Sequence, residues 1–214
     1  MPLTLSNLKL DNISYCRYIS DRHLRNQSHW DARAVVRAIK GDEFGGYADL
    51  KIGGIWRRLD QSHPELAVEW FTERVLQETS FSSNETYVLV PIPHSSCTVM
   101  SGETPKVFAI ALALQRRIPR LQIADILRFN EVMPKSSETN IRDENLLFQA
   151  TRLIQKPPKG NIILLDDVCT TGAHAKAAAR AVTKGDGSVS CSMSVARTTL
   201  NPQDPVFGFV KEAL

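Results

Sequence analysis

Two adjacent carboxylates, Asp166 and Asp167, are followed at once by the short polar stretch Val168, Cys169, Thr170, Thr171 and Gly172. An ionised carboxylate only accepts hydrogen bonds, so the pair suits the hydroxyls of a diol better than a phosphate. The two threonines donate, and Gly172 lets an anion come close to the backbone. The Ala-rich run Ala173 to Val182 then reads as a helix. Its first N–H groups and partial positive charge face the same loop. A diol site beside an anion site is a cradle for a sugar phosphate.

Something must hold that cradle. The residues from Asn161 to Leu165 are apolar enough for a fully buried parallel strand, which delivers the acids at its carboxyl end. Upstream, Tyr87 to Pro91 reads as a strand cut by prolines, and His94-Ser95-Ser96 as the loop at its end. A helix from Pro105 to Arg117 and a strand from Leu121 to Leu127 complete a right-handed βαβ unit. Ser188 to Arg197 is a further strand. Together these predict an α/β fold, a doubly wound, Rossmann-like parallel sheet flanked by helices, with ligands beyond the strand ends. The polar stretch from Arg128 to Asn145 is long for a structureless connection and reads as a lid. Its Arg128, Lys135 and Arg142 are candidate cations to close over an anion and exclude water.

The stretch Leu164-Leu-Asp-Asp-Val-Cys-Thr-Thr-Gly172 resembles the phosphoribosyl pyrophosphate (PRPP) signature of the type I phosphoribosyltransferases. More of the chain is similar to one branch, the competence-protein-F-like (ComF-like) phosphoribosyltransferases. Val90-Pro-Ile-Pro93, Leu127-Arg128, Arg142-Asp-Glu-Asn145 and Ser194-Val-Ala-Arg197 carry the likeness, as does Ile39-Lys40-Gly41-Asp42 at the end of an upstream helix. The resemblance implies a type I phosphoribosyltransferase fold with a flexible lid. It also implies displacement of pyrophosphate from C1 of PRPP by a nitrogen acceptor such as a nucleobase, with inversion. Asp166 and Asp167 would then be the catalytic pair on the ribose hydroxyls, and Val168 to Gly172 the 5′-phosphate loop. His94, Ser95, Ser96, Arg128, Lys135 and Arg142 would serve the pyrophosphate side. Mg²⁺ would come with PRPP, with no protein ligand assigned to it directly.

The chain departs from that branch in three places. It has no paired-cysteine zinc ribbon; Met100-Ser-Gly-Glu-Thr-Pro105 stands where an Arg-Gly-Phe-Asn-Gln stretch is expected; and Lys135-Ser-Ser-Glu-Thr139 replaces the usual lid spacing. These departures concern the pyrophosphate side and the acceptor. A non-catalytic PRPP- or nucleotide-binding module, regulatory or associated with DNA uptake, is the alternative. A doubly wound domain for another phosphorylated ligand is a third reading. Phe129, Tyr87 and Phe207 are candidate base platforms, each also a plain core residue.

The 214 residues, 43% hydrophobic and 23% charged, allow one ordinary domain. We expect an N-terminal extension or cap over 1–30, the phosphoribosyltransferase-like domain over 31–200 and a tail over 201–214. A net charge of +3 without like-charge blocks gives no indication of nucleic-acid binding. No apolar run reaches spanning length and no signal-peptide pattern opens the chain, so a cytoplasmic protein without membrane contact is expected. The four cysteines are scattered, with neither zinc nor disulfide spacing. A homodimer is compatible with all of this.

Overall fold

Residues 162 to 165 are buried although they alternate between two faces of the sheet. Ile162 and Leu164 pack on one helix layer, and Ile163 and Leu165 on the other. Such a strand can only lie inside a sheet covered on both sides. The computed structural model describes residues 10–19, 21–82, 84–134 and 143–214. In chain order the elements begin with β1 (Asp11–Ile19), α1 (Gln27–Lys40), β2 (Ala48–Ile52), β3 (Ile55–Leu59), α2 (Glu65–Glu78) and β4 (Tyr87–Pro91). They continue with α3 (Phe108–Arg117), β5 (Leu121–Ile123), β6 (Leu127–Phe129), α4 (Glu144–Ala150) and β7 (Thr151–Leu153). Last come β8 (Asn161–Cys169), α5 (Ala173–Lys184), β9 (Val189–Thr199) and β10 (Phe207–Ala213).

The main sheet has the order β10-β1-β9-β8-β4-β5 and is parallel except for β10. It is the expected α/β architecture. Helices α1, α2 and α3 cover one face, where Val35, Phe71, Ala111 and Leu114 meet Leu89, Leu165 and Val195. Helix α5 covers the other through Ala175, Ala178, Ala179 and Val182. From the two central strands the chain leaves in opposite directions: β4–α3–β5 toward one edge, β8–α5–β9 toward the other. A crevice therefore opens between the carboxyl ends of β4 and β8, where open α/β sheets bind ligands.

Three expectations change. The described parts of 1–30 and 201–214 do not stand apart as cap and tail, because β1 and β10 lie within the main sheet. The expected boundaries at 30 and 200 thus fall at no break in it. The upstream helix, α1, begins at Gln27, inside the segment expected as a cap, and is capped by Asn26, whose side chain accepts from the His29 N–H at 3.0 Å. The stretch 128–145 is not one long loop. Leu127–Phe129 forms β6 against β7, and Glu144 opens α4 behind an Asp143 cap. Among the described residues no helix is long and apolar enough to cross a membrane.

Tyr15 shows how firmly β1 is built in. It is fully buried, edge-on to Phe71 at 5.2 Å and to Phe209 at 6.0 Å, and its Oη lies 2.6 Å from Thr79 Oγ1. Tyr15→Ala should lower the unfolding free energy in urea by about 3–5 kcal/mol, the usual cost of emptying a buried aromatic site. A loss below about 1 kcal/mol would mean that β1 is peripheral to the core.

Candidate functional site

Strand β8 runs on through both aspartates instead of ending before them, because β9 keeps pairing with it: Asp166 opposite Ser194, Val168 opposite Ala196, Cys169 opposite Arg197. The carboxylates are therefore held by a ladder rather than by a turn. Both are half-buried. Burial drives the Asp166 carboxyl well above the ordinary carboxylate range, and the neighbouring Asp167 carboxylate adds to that; the Asp167 N–H, donating to Asp166 Oδ1 at 2.8 Å, and Lys40 pull the other way. Lys40, at the C-terminal end of α1, brings its Nζ to 3.6 Å from Asp167 Oδ2. The turn that ends α1 beneath it depends on Gly41, which has a φ of 70°.

Beyond Cys169 the chain doubles back into α5. Gly172, at φ 79°, is the N-cap, and Thr171 Oγ1 accepts from the Ala173 N–H at 3.4 Å. One side of Gly172 is filled: a Cβ there would lie 2.7 Å from Leu214 Cδ2. Arg197 fastens the loop from behind. Its Nη1 donates to the carbonyls of Thr170 and, at 3.3 Å, Cys169, while its Nε donates to Glu212 Oε2 at 2.7 Å. With the carbonyls turned toward Arg197, the helix end is left to present donors. The pocket here, about 480 Å³ including its open mouth, is lined by Asp166, Val168 to Ala175 and Leu147, with Asn12 and Ser192 from the sheet. His174 lies in it, half-buried and edge-on to the Phe129 ring at 6.3 Å; burial lowers its pKa, so the imidazole is neutral at pH 7. Cys169 is buried and its thiol is pushed up to about 11, which removes it as a nucleophile at neutral pH.

The other loop sits where the crevice requires it, with the Ile92 N–H donating to Leu165 C=O at 2.8 Å. It carries its own anion. Glu103 Oε2 accepts from Ser96 Oγ at 2.9 Å and lies 3.0 Å from His94 Nε2. These bonds hold the Glu103 carboxyl below its ordinary value. Ser95 contributes its carbonyl, which accepts from the Met133 N–H at 2.8 Å. Two of the loop's side chains, His94 and Ser96, are thus committed to a carboxylate of the Met100–Pro105 stretch.

Arg128 is a correction. It is buried on β6 with a two-pronged pair to Asp125, Nη2 to Oδ2 at 2.7 Å, and a bond to Leu127 C=O. A guanidinium so committed is not a lid cation. Lys135 and Arg142 lie outside the described residues. Of the base-platform candidates, Phe129 is buried beside His174, Tyr87 bonds Glu85 at the far end of β4, and Phe207 packs on Trp70. Sequence reading did not assign roles to Lys40, Glu103, His174, Arg197 or Asn12. Only Lys40 and Arg197 had a signal, as parts of segments that resemble the ComF-like branch.

No protein-family model matches the chain, and no curated protein matches it. Five chains among solved structures are similar to it. One, described as a crystal structure of adenine phosphoribosyltransferase, is 16% identical over 76% of this chain and 89% of that chain, with a TM-score of 0.37. At that distance the likeness adds no weight to the reading of the site.

The raised Asp166 carboxyl has a consequence for stability. Between its unfolded value, near 3.9, and its higher folded value, the native state holds more protons than the unfolded chain, so stability falls as pH rises through that window. Asp166→Asn keeps the shape and cannot ionise. In urea titrations it should gain on the wild type from about pH 5 to about pH 8, by roughly 1–2 kcal/mol. A difference that stays flat with pH would show that Asp166 is not held protonated.

Proposed function

We propose that this protein binds PRPP with Mg²⁺ and transfers its phosphoribosyl group to a nitrogen acceptor of the nucleobase class, releasing pyrophosphate. One observation carries this. A single strand-loop-helix unit at the switch point of the sheet holds two diol-seeking carboxylates immediately before an anion cup. The two lie in the order that a ribose 5-phosphate presents them. The segments that resemble the ComF-like phosphoribosyltransferases support the same reading.

In it, Asp166 and Asp167 accept from the ribose hydroxyls, and the Asp167 carboxylate favours positive charge developing at C1. Thr170, Thr171, Gly172 and the first N–H groups of α5 hold the 5′-phosphate. Arg197 fixes the loop's shape, and Lys40 balances one of the two carboxylates. Mg²⁺ fits the donor set, since it takes one or two carboxylates together with substrate phosphates and keeps several waters. Asp166 and Asp167 would hold it, and its charge would offset that of the diphosphate. Among the described residues no three acidic, His or Cys side chains form a site for a metal without substrate.

Glu103 favours a second reading. Its carboxylate lies on the His94–Ser96 loop, where a diphosphate needs donors. A protein that binds the phosphoribosyl end but does not turn over would look like this.

PRPP with Mg²⁺ at a hundred times its Kd should raise the melting temperature by about 5–10 °C. Asp167→Asn and Thr171→Val should cut that shift by more than half. No shift with any 5-phosphoribosyl ligand sinks both readings. A shift without pyrophosphate release, across a panel of purine and pyrimidine bases, selects the second.

A further inference from the structure

The face of the sheet under α5 is apolar at Leu10, Ile162 and Leu164, then turns polar without reaching solvent. Asn12 and Ser14 on β1 and Ser192 and Ser194 on β9 are all 2% exposed or less. Their register places Asn12 beside Ser192 and Ser14 beside Ser194, with Ser194 in turn beside Asp166 of β8. A polar strip thus crosses three strands and ends at Asp166. Within it, Ser192 Oγ donates to Asn12 Oδ1 at 2.8 Å and Ser194 Oγ approaches the same oxygen at 3.3 Å. That leaves Asn12 Nδ2 as the other end of the amide, and it has no partner. Asn12 and Ser192 line the same pocket as Thr170, Thr171, Gly172 and His174.

A buried amide donor without a partner costs free energy, and native structures seldom leave one. From these observations we infer that Asn12 is a phosphate-binding residue. Its Nδ2 donates to an oxygen of a phosphomonoester that is also held by the N-terminus of α5 and the hydroxyls of Thr170 and Thr171. This rests on reading the loop as a phosphate cup. A phosphomonoester dianion offers the acceptors that so many converging donors require, and a donor bonded to a charged oxygen is worth more than one bonded to water. The two serines give the amide its orientation: with Oδ1 occupied, the unpartnered Nδ2 is the end left for a ligand in the pocket that Asn12 lines. Strand β1 then does more than extend the sheet, since it completes the site.

The test is titration calorimetry of the full chain with ribose 5-phosphate and, separately, inorganic phosphate, at about pH 8 so that the added carboxylate of one variant is ionised. Asn12→Ala should weaken ribose 5-phosphate about tenfold, the usual loss for a hydrogen bond to a charged group. Asn12→Asp keeps an acceptor for Ser192 and Ser194 but puts a negative charge in place of the donor; it should weaken binding further, with its urea midpoint showing that it folds. If Asn12→Ala does not fold, Asn12→Asp carries the test. Inorganic phosphate should show the same order of variants, since the contact is to the phosphate alone. Wild-type affinity in both variants would overturn the proposal and leave Nδ2 to a buried water. A wild type that binds neither ligand would overturn the phosphate cup itself. A Thr171→Val control that loses binding, with both Asn12 variants unchanged, confines the failure to Asn12.

Discussion

Two carboxylates on successive residues, half-buried at the end of a strand, repel each other, and much of this structure is arranged around holding them there. The ladder from β9 keeps Asp166 and Asp167 in extended backbone, so their side chains leave on opposite sides of the sheet plane. Each then meets a different answer to its charge. Asp166 lies on the α5 face, where burial and its neighbour favour the proton and the Asp167 N–H partly offsets them. Asp167 receives Lys40 from α1 on the other side. The pair is therefore unsettled in the absence of a ligand. Diol hydroxyls, or a cation, would supply what the protein supplies only in part.

That tension explains why helices from both layers contribute to one cleft. α1 provides the cation, α5 the helix end, and β4 the facing loop, pinned to β8 by Ile92. The two faces of the cleft are nonetheless held differently. The loop from Cys169 to Gly172 is fixed by buried or half-buried groups, Arg197 on its carbonyls and Glu212 on Arg197, so it is ordered without a ligand. The facing loop is fixed by Glu103, an exposed carboxylate that any incoming anion must displace or share through a cation.

How far the sequence disclosed this follows from how local each part is. Asp166 to Gly172 and the helix after them are contiguous, so strand, acid pair, cup and helix end could be read together. The apolar run from Asn161 to Leu165 likewise predicted a buried parallel strand. Non-local pairing was hidden. Nothing in Asp11 to Ile19 announces that it lies between β9 and β10, because the apolar positions Ile13 and Tyr15 suit an edge or a cap equally well. Arg128 misled because an arginine in a polar stretch reads as free, while its partner Asp125 reaches it only through the bend between β5 and β6. Asn12 and Ser192 look like surface residues of their strands until the strands are paired; only then is the polar strip seen to be buried.

The strip also decides how β1 and β10 should be regarded. A sheet that ended at β9 would expose Ser192 and Ser194 to water, where they would need no partner and Asp166 would be better solvated. Adding β1 buries the same side chains, and Asn12 and Ser192 become part of the wall of the pocket. Electrostatic interactions there strengthen, the repulsion between the acids included. β10 then covers the far side of β1 and brings Glu212 to Arg197, which shapes the loop above. The ends of the chain thus raise the cost of leaving the cleft empty and the gain on filling it. That is the arrangement expected where a charged ligand, rather than water, completes the polar interior.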